Sequence, residues 1–203
     1  MGKSKYKQEV LDLLRKSPIV SYTSIAKIIN HKKKTKSYAK RMINYLIKSG
    51  AIKRLTKGYY TTTDNASLAV LSFQPAYLGL QDALSFHDIW EQETVPIIIT
   101  SRNVRQGIRK VLNTNIIIRR IESKYLFGME YHQQENVALP YSDIEKTFID
   151  MIYFKENISE EVIAEFKKRL DKNKLKRYLK IYQKKTREKA NLILKIKDKR
   201  LDG

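Results

Sequence analysis

Between residues 36 and 59 the chain spaces its donors in a way that suits contact with a nucleic-acid duplex. Arg41 and Asn44 stand three residues apart. A guanidinium can hold guanine O6 and N7 with two bonds, and a carboxamide can hold adenine N6 and N7. Lys36, Ser37, Lys40 and Lys48 accompany them in TKSYAKRMINYLIKSG, a stretch without Asp or Glu. Lysines there suit phosphates, which position a protein without reading sequence. Just beyond, KRLTKGYYT pinches around Gly58, with Lys57 at the turn and Arg54 and Tyr59 on the stem. Glycine supplies the positive φ that a tight hairpin turn needs.

A second set of groups points to other chemistry. Asp143, Glu145 and Asp150 could hold Mg²⁺ in a nuclease. Asp143 and Glu145, however, fall in the first turn of an expected helix, where the helix dipole favours negative charge. His31, His87 and His132 lack a His-x-x-x-His spacing, cysteine is absent, and the seven glycines form no phosphate-cradling cluster. No catalytic residue, metal site or cofactor is assigned, and the chain is expected to bind rather than to catalyse.

The elements that must position the donors follow from periodicity. Val10, Leu11 and Leu14 give a first helix ended by Ser17-Pro18. Ser21 or Thr23 can cap a short helix through SIAKIIN, and after HKKKT a third helix runs from a Thr35 cap to Gly50. On that third helix Ala39, Ile43 and Leu46 share a sector, flanked by Met42 and Ile47, while Ser37, Arg41, Asn44 and Lys48 fall opposite with Lys40 at the border. Helix, short helix, turn, helix and basic hairpin is the order of a winged helix-turn-helix spanning residues 1–62.

Charge divides the chain. Residues 1–62 carry 16 Lys and Arg against 2 Asp and Glu, residues 63–150 carry 8 against 11, and residues 151–203 carry 17 against 8, within a total of +20. Such a balance calls for a polyanion. No apolar run is long enough to span a bilayer and the N-terminus has no apolar leader, so a cytoplasmic protein without a membrane partner is expected.

A second domain, 67–203, reads as α+β with a helical tail. AYLGLQDALSFHDIW suits a helix with His87 packed within it. PIIIT, NIIIRRI and KYLFGMEYH suit strands, the last two forming a hairpin. Ser142 and Glu145 make a capping box that opens a helix through Phe154. From about Asn173 to Lys199 one long helix carries the stripe Leu175, Leu179, Tyr182, Thr186, Ala190 and Ile193, expected to dock on the helix after Ser142. Lys174 and its basic neighbours, Lys176, Lys180 and Lys184 among them, would then form a second basic surface.

The run from Leu46 to Tyr60, the segments YLGLQDALSFHDI and IIITSRNVR, and VALPYSDIEKTFIDMIYF, in that order, resemble the AbiEi-type antitoxins. The turn HKKKT is richer in lysine than is usual there, and Phe148 replaces the commoner leucine. The resemblance implies an autoregulating transcriptional repressor that binds double-stranded operator DNA. It also implies that the second domain counters a nucleotidyltransferase toxin, as in type IV toxin-antitoxin systems. Two alternatives stand beside it: an RNA-binding protein that uses the lysine-rich tail, and a nucleic-acid-processing enzyme in which the winged helix delivers substrate.

Overall fold

The computed structural model describes residues 2–30, 36–134 and 137–195. Tyr6, Val10 and Leu14 line the buried edge of α1 (Gly2–Lys16). Pro18 cannot continue that helix, and Ser17 N closes on Leu13 O at 3.0 Å. A two-residue strand, β1 (Val20–Ser21), leads into α2 (Tyr22–Asn30), where Ser21 Oγ accepts from Ser24 N at 3.1 Å as the cap. The turn HKKKT, with the expected cap Thr35, lies outside the described residues. α3 (Lys36–Lys48) stops where Gly50 adopts φ +70°, a left-handed exit that closes helices. β2 (Lys53–Thr56) and β3 (Tyr59–Thr61) then form an antiparallel hairpin that turns at Gly58, φ +82°. With β1 it makes a sheet of order β1-β3-β2. Val10, Ile25, Ile29, Ile43, Leu46 and Ile52 meet in one core beneath.

The remaining chain is built on a six-stranded mixed sheet of order β6-β7-β5-β4-β9-β8. Its strands are β4 (Ala76–Leu78), β5 (Ile97–Thr100), β6 (Gly107–Val111), β7 (Thr114–Arg120), β8 (Met129–Gln134) and β9 (Val137–Ser142). β5 runs parallel to β7 and β4 parallel to β9; the other pairs are antiparallel. The interior strand β5 is buried on both sides, which is why it reads as a continuous apolar run. Tyr77, Ile97 and Ile99 face a layer formed by α5 (Ile144–Tyr153), α6 (Glu160–Arg169), α7 (Lys172–Leu179) and α8 (Lys184–Leu194); the short α4 (Gln81–Phe86) also packs on α5. Leu78, Ile98, Ile116 and Ile118 face a 3-10 segment, Ala66–Ser72. Leu55 of β2, only 2% exposed, belongs to this second core, so the N-terminal hairpin is anchored in the sheet. The chain is thus a mixed α+β protein.

Several expectations are corrected here. The segment from Ala76 is a strand before it is a helix: β4 lies between β5 and β9, and α4 starts only at Gln81. β7 does not pair with the strand that follows it. Instead segment 121–128 sends Ile121 and Tyr125 into the core, Tyr125 stacks on Tyr182 at 4.3 Å, and β8 pairs with β9. The helix after β9 is capped by Asp143, whose Oδ1 accepts from Lys146 N at 2.7 Å; Ser142 still belongs to the strand, and Glu145 accepts from Asp171 N at 2.8 Å instead of reaching back. The tail is two helices broken at Lys180–Gln183, and residues 196–199 lie outside the described residues. His87 ends α4, and its Nε2 reaches out to Ser142 O at 2.7 Å.

Asp82 shows how α4 is tied to the sheet. Its Oδ2 accepts from Ile97 N at 3.1 Å, and burial pushes its carboxyl up to about 7 against the opposing pull of that hydrogen bond. The folded state therefore holds a proton that the unfolded chain has released. This contribution is fully present below about pH 4, declines as pH rises through 4 to 7, and is gone above it. Asp82→Asn should remove roughly 2–4 kcal/mol of that pH dependence. Urea unfolding of both proteins from pH 4 to 8 reads the difference, and parallel curves would refute it.

Candidate nucleic-acid interface

α3 has two faces set by its sequence. Ala39, Met42, Ile43 and Leu46 are buried, while the side chains of Ser37, Lys40, Arg41, Asn44 and Lys48 are exposed. Lys36 opens the helix. The exposed face carries cations and amides and no carboxylate, unlike a solvated helix stabilised by mixed-sign pairs. Tyr45, 53% exposed, stands one turn beyond Arg41, and with Tyr38 and Met42 these two line a shallow groove. Sequence reasoning passed over Tyr45; the available signal was a large aromatic on the solvent side of a helix.

The hairpin stands beside α3. Arg54 and Lys57 are exposed and Tyr59 is half-buried against β1. Gly58 O accepts from Tyr22 N at 2.7 Å, which fixes the tip to the start of α2. Lys53 is bound by Asp64, so its charge is compensated on the chain itself.

A further basic element joins the expected strand β7 to β6, a strand not expected from the sequence. Residues 101–121 hold six cations and no carboxylate, and they form β6, β7 and the loop before them. The β6–β7 turn, Leu112 and Asn113, borders a cleft with Ile47, Gly50, Lys53 and Arg54, so this hairpin adjoins α3 and β2. Strand alternation sorts its cations. Arg109 and Arg120 share the face of Ile116 and Ile118, whereas Lys110 and Arg119 share the face of Ile117. Arg109 sits over the Phe73 ring at 5.5 Å and donates to Arg105 O.

In the tail, Lys176, Lys180 and Lys184 are exposed, and Lys184 lies 3.7 Å from Glu188. Leu175, Leu179, Tyr182 and Ala190 are buried in the core of α5. Lys174, expected on the outer surface, turns inward to Asp143 at 3.2 Å and Glu145 at 3.1 Å. The carboxylates that could have served a metal are therefore engaged: Asp143 also accepts from Tyr178 Oη at 2.8 Å, and Asp150 holds the fully buried Lys146.

No family model matches the chain, and no curated protein matches it in sequence. Among solved structures it is similar to the RV2827C protein from Mycobacterium tuberculosis. The TM-score is 0.60 and the identity 11%, over 94% of this chain and 76% of that one. The likeness is one of fold. Among the described residues no helix is long and apolar enough to cross a membrane.

Proposed function

We propose that this protein is a sequence-specific DNA-binding repressor whose residues 1–62 act as a winged helix-turn-helix. α3 enters the major groove and the β2–β3 hairpin serves as the wing. The observation that carries this reading is the outer face of α3, where Arg41 and Asn44 are exposed among lysines without a carboxylate, on a helix whose other face is locked in a core. Arg109 and Arg120 extend the basic strip beyond the wing and add phosphate contacts. The resemblance to AbiEi-type antitoxins supports a further part: the protein represses its own operon and counters a nucleotidyltransferase toxin, with the sheet domain taking that second role.

Selection of duplexes from a random-sequence pool tests the central claim. A recurrent motif should emerge; a pool without enrichment, or a preference for structured RNA, overturns it. The wing makes a sharper prediction. Arg54→Ala and Lys57→Ala should each flatten the slope of log K against log salt by about 1, the loss of one phosphate contact. Lys53→Ala should leave the slope unchanged, because Asp64 already balances that charge. Co-expression with a nucleotidyltransferase toxin reports on the antitoxin role through rescue of growth.

A further inference from the structure

The sheet has two faces, and the helices cover only part of one. On that side Ile97 pairs with Ile117 and Ile117 with Ile108, so three isoleucines form a row across β5, β7 and β6. Ile97 is buried under the helical layer, Ile117 is partly buried, and Ile108 on the open edge is 71% exposed. Trp90, the single tryptophan, walls the cleft above Ile97 and Ile117. Arg119 reaches the same cleft. One of its terminal nitrogens donates to Glu156 at 3.1 Å, while its Nε is buried and makes no hydrogen bond.

We infer that this face is a contact surface for a second copy of the chain, related by a twofold axis. The charges around the row identify the occupant. Residues 81–93 contain four carboxylates and no cation, whereas 101–121 contain six cations and no carboxylate. The first segment brings exposed Glu91 and Glu93 to the Trp90 side, and the second brings exposed Lys110 to the Ile108 side. Across the row Ile97 and Ile108 lie about 10 Å apart, two interstrand spacings. Among the described residues none of these three makes an ion pair. An apolar row with opposite charges at its two ends is complementary to itself when turned by 180°. Nucleic acid fits poorly, because Glu91 and Glu93 would meet phosphates. Edge-to-edge pairing of β6 fits poorly as well, because Arg105, Arg109 and Lys110 would meet like charge. The contact is therefore face to face, Ile108 packing toward the partner's Trp90 side and Lys110 opposing the partner's Glu91 and Glu93. A contact centred on one row of three isoleucines gives a weak dimer, with a dissociation constant on the order of micromolar.

Sedimentation of the full chain without nucleic acid, from about 1 to about 200 µM, spans that range. The mass should rise toward twice the monomer value, and Trp90 emission should shift to the blue as its cleft closes. Ile108→Glu should remain a monomer at every concentration with an unchanged melting temperature. Lys110→Glu alone, or Glu91→Lys with Glu93→Lys, should weaken the dimer about tenfold or more, and combining all three reversals should restore it. The proposal is overturned by a monomer mass throughout for the unaltered chain, by an Ile108→Glu variant that dimerises normally, or by a combined reversal that fails to recover. None of these readings involves DNA, so loss of duplex selection would leave the dimer standing, and loss of the dimer would leave the groove assignment standing.

Discussion

Lys146→Met should lower the unfolding free energy by about 3–5 kcal/mol, as expected when one partner of a buried ion pair is removed. Lys146 is fully buried on α5, beside rings of Tyr77, Phe127 and Tyr182 at 5.2, 5.5 and 5.6 Å. Its ammonium is held by Asp150 and donates to Tyr182 Oη at 2.9 Å, while Asp150 also accepts from Tyr77 Oη at 2.6 Å. Burial pulls the lysine down and pushes Asp150 up, and their mutual attraction opposes both shifts. Without the ammonium, Asp150 is left as a buried carboxylate among phenols and can escape only by taking up a proton. The variant should therefore lose most stability above the carboxylate range and regain part of it as pH falls. Lys146→Met combined with Asp150→Leu should recover much of the loss, since it removes both charges together. Urea unfolding followed by circular dichroism measures all three proteins. A single-variant loss below about 1 kcal/mol would mean that the pair does not hold the helical layer.

On the opposite unit, Arg41→Ala and Asn44→Ala should each cost about 1–3 kcal/mol on a cognate duplex and little on random DNA. Both side chains are exposed on α3 beyond a buried face of Ala39, Ile43 and Leu46, so truncation leaves the fold intact and removes only the donors. Their three-residue separation puts them about one turn apart on the same exposed face of α3, so the double variant is expected to depart from additivity. Titrations of cognate and scrambled duplexes at fixed salt separate the two effects. Equal weakening on both duplexes would assign these residues to phosphates and leave sequence choice to other groups.

What could be read in advance depended on how local the cause was. The faces of α3, the stop at Gly50 and the turn at Gly58 are written within a few residues of one another, and each appears in the fold. The spacing of Leu175, Leu179, Tyr182 and Ala190 foretold their burial, yet it runs in phase across the break at Lys180–Gln183 and so hid that break. Lys146 and Asp150, four apart on a helix, look in sequence like a surface pair; only Tyr77, Phe127 and Tyr182, from three distant segments, enclose them. β6 was missed because an edge strand with Ile108 and Lys110 outward shows too little apolar alternation to announce itself. The pairing of β8 with β9 in place of β7 depends on Tyr125 turning into the core, a contact that no local pattern encodes.

The place of β4 at the centre of the sheet bears on how the chain comes off a ribosome. Its parallel neighbour is β9, and Tyr77 is bonded to Asp150, 73 residues further along. At about 5–20 residues per second that interval takes about 4–15 s to synthesise. During that time β5 and β7 have no helical cover, while the N-terminal helices, whose core is drawn from residues 6–60 alone, can already close on themselves. The nascent protein thus completes its N-terminal helices first and waits for the sheet with isoleucine-rich strands uncovered, an interval in which a holding chaperone would raise the yield of native chain.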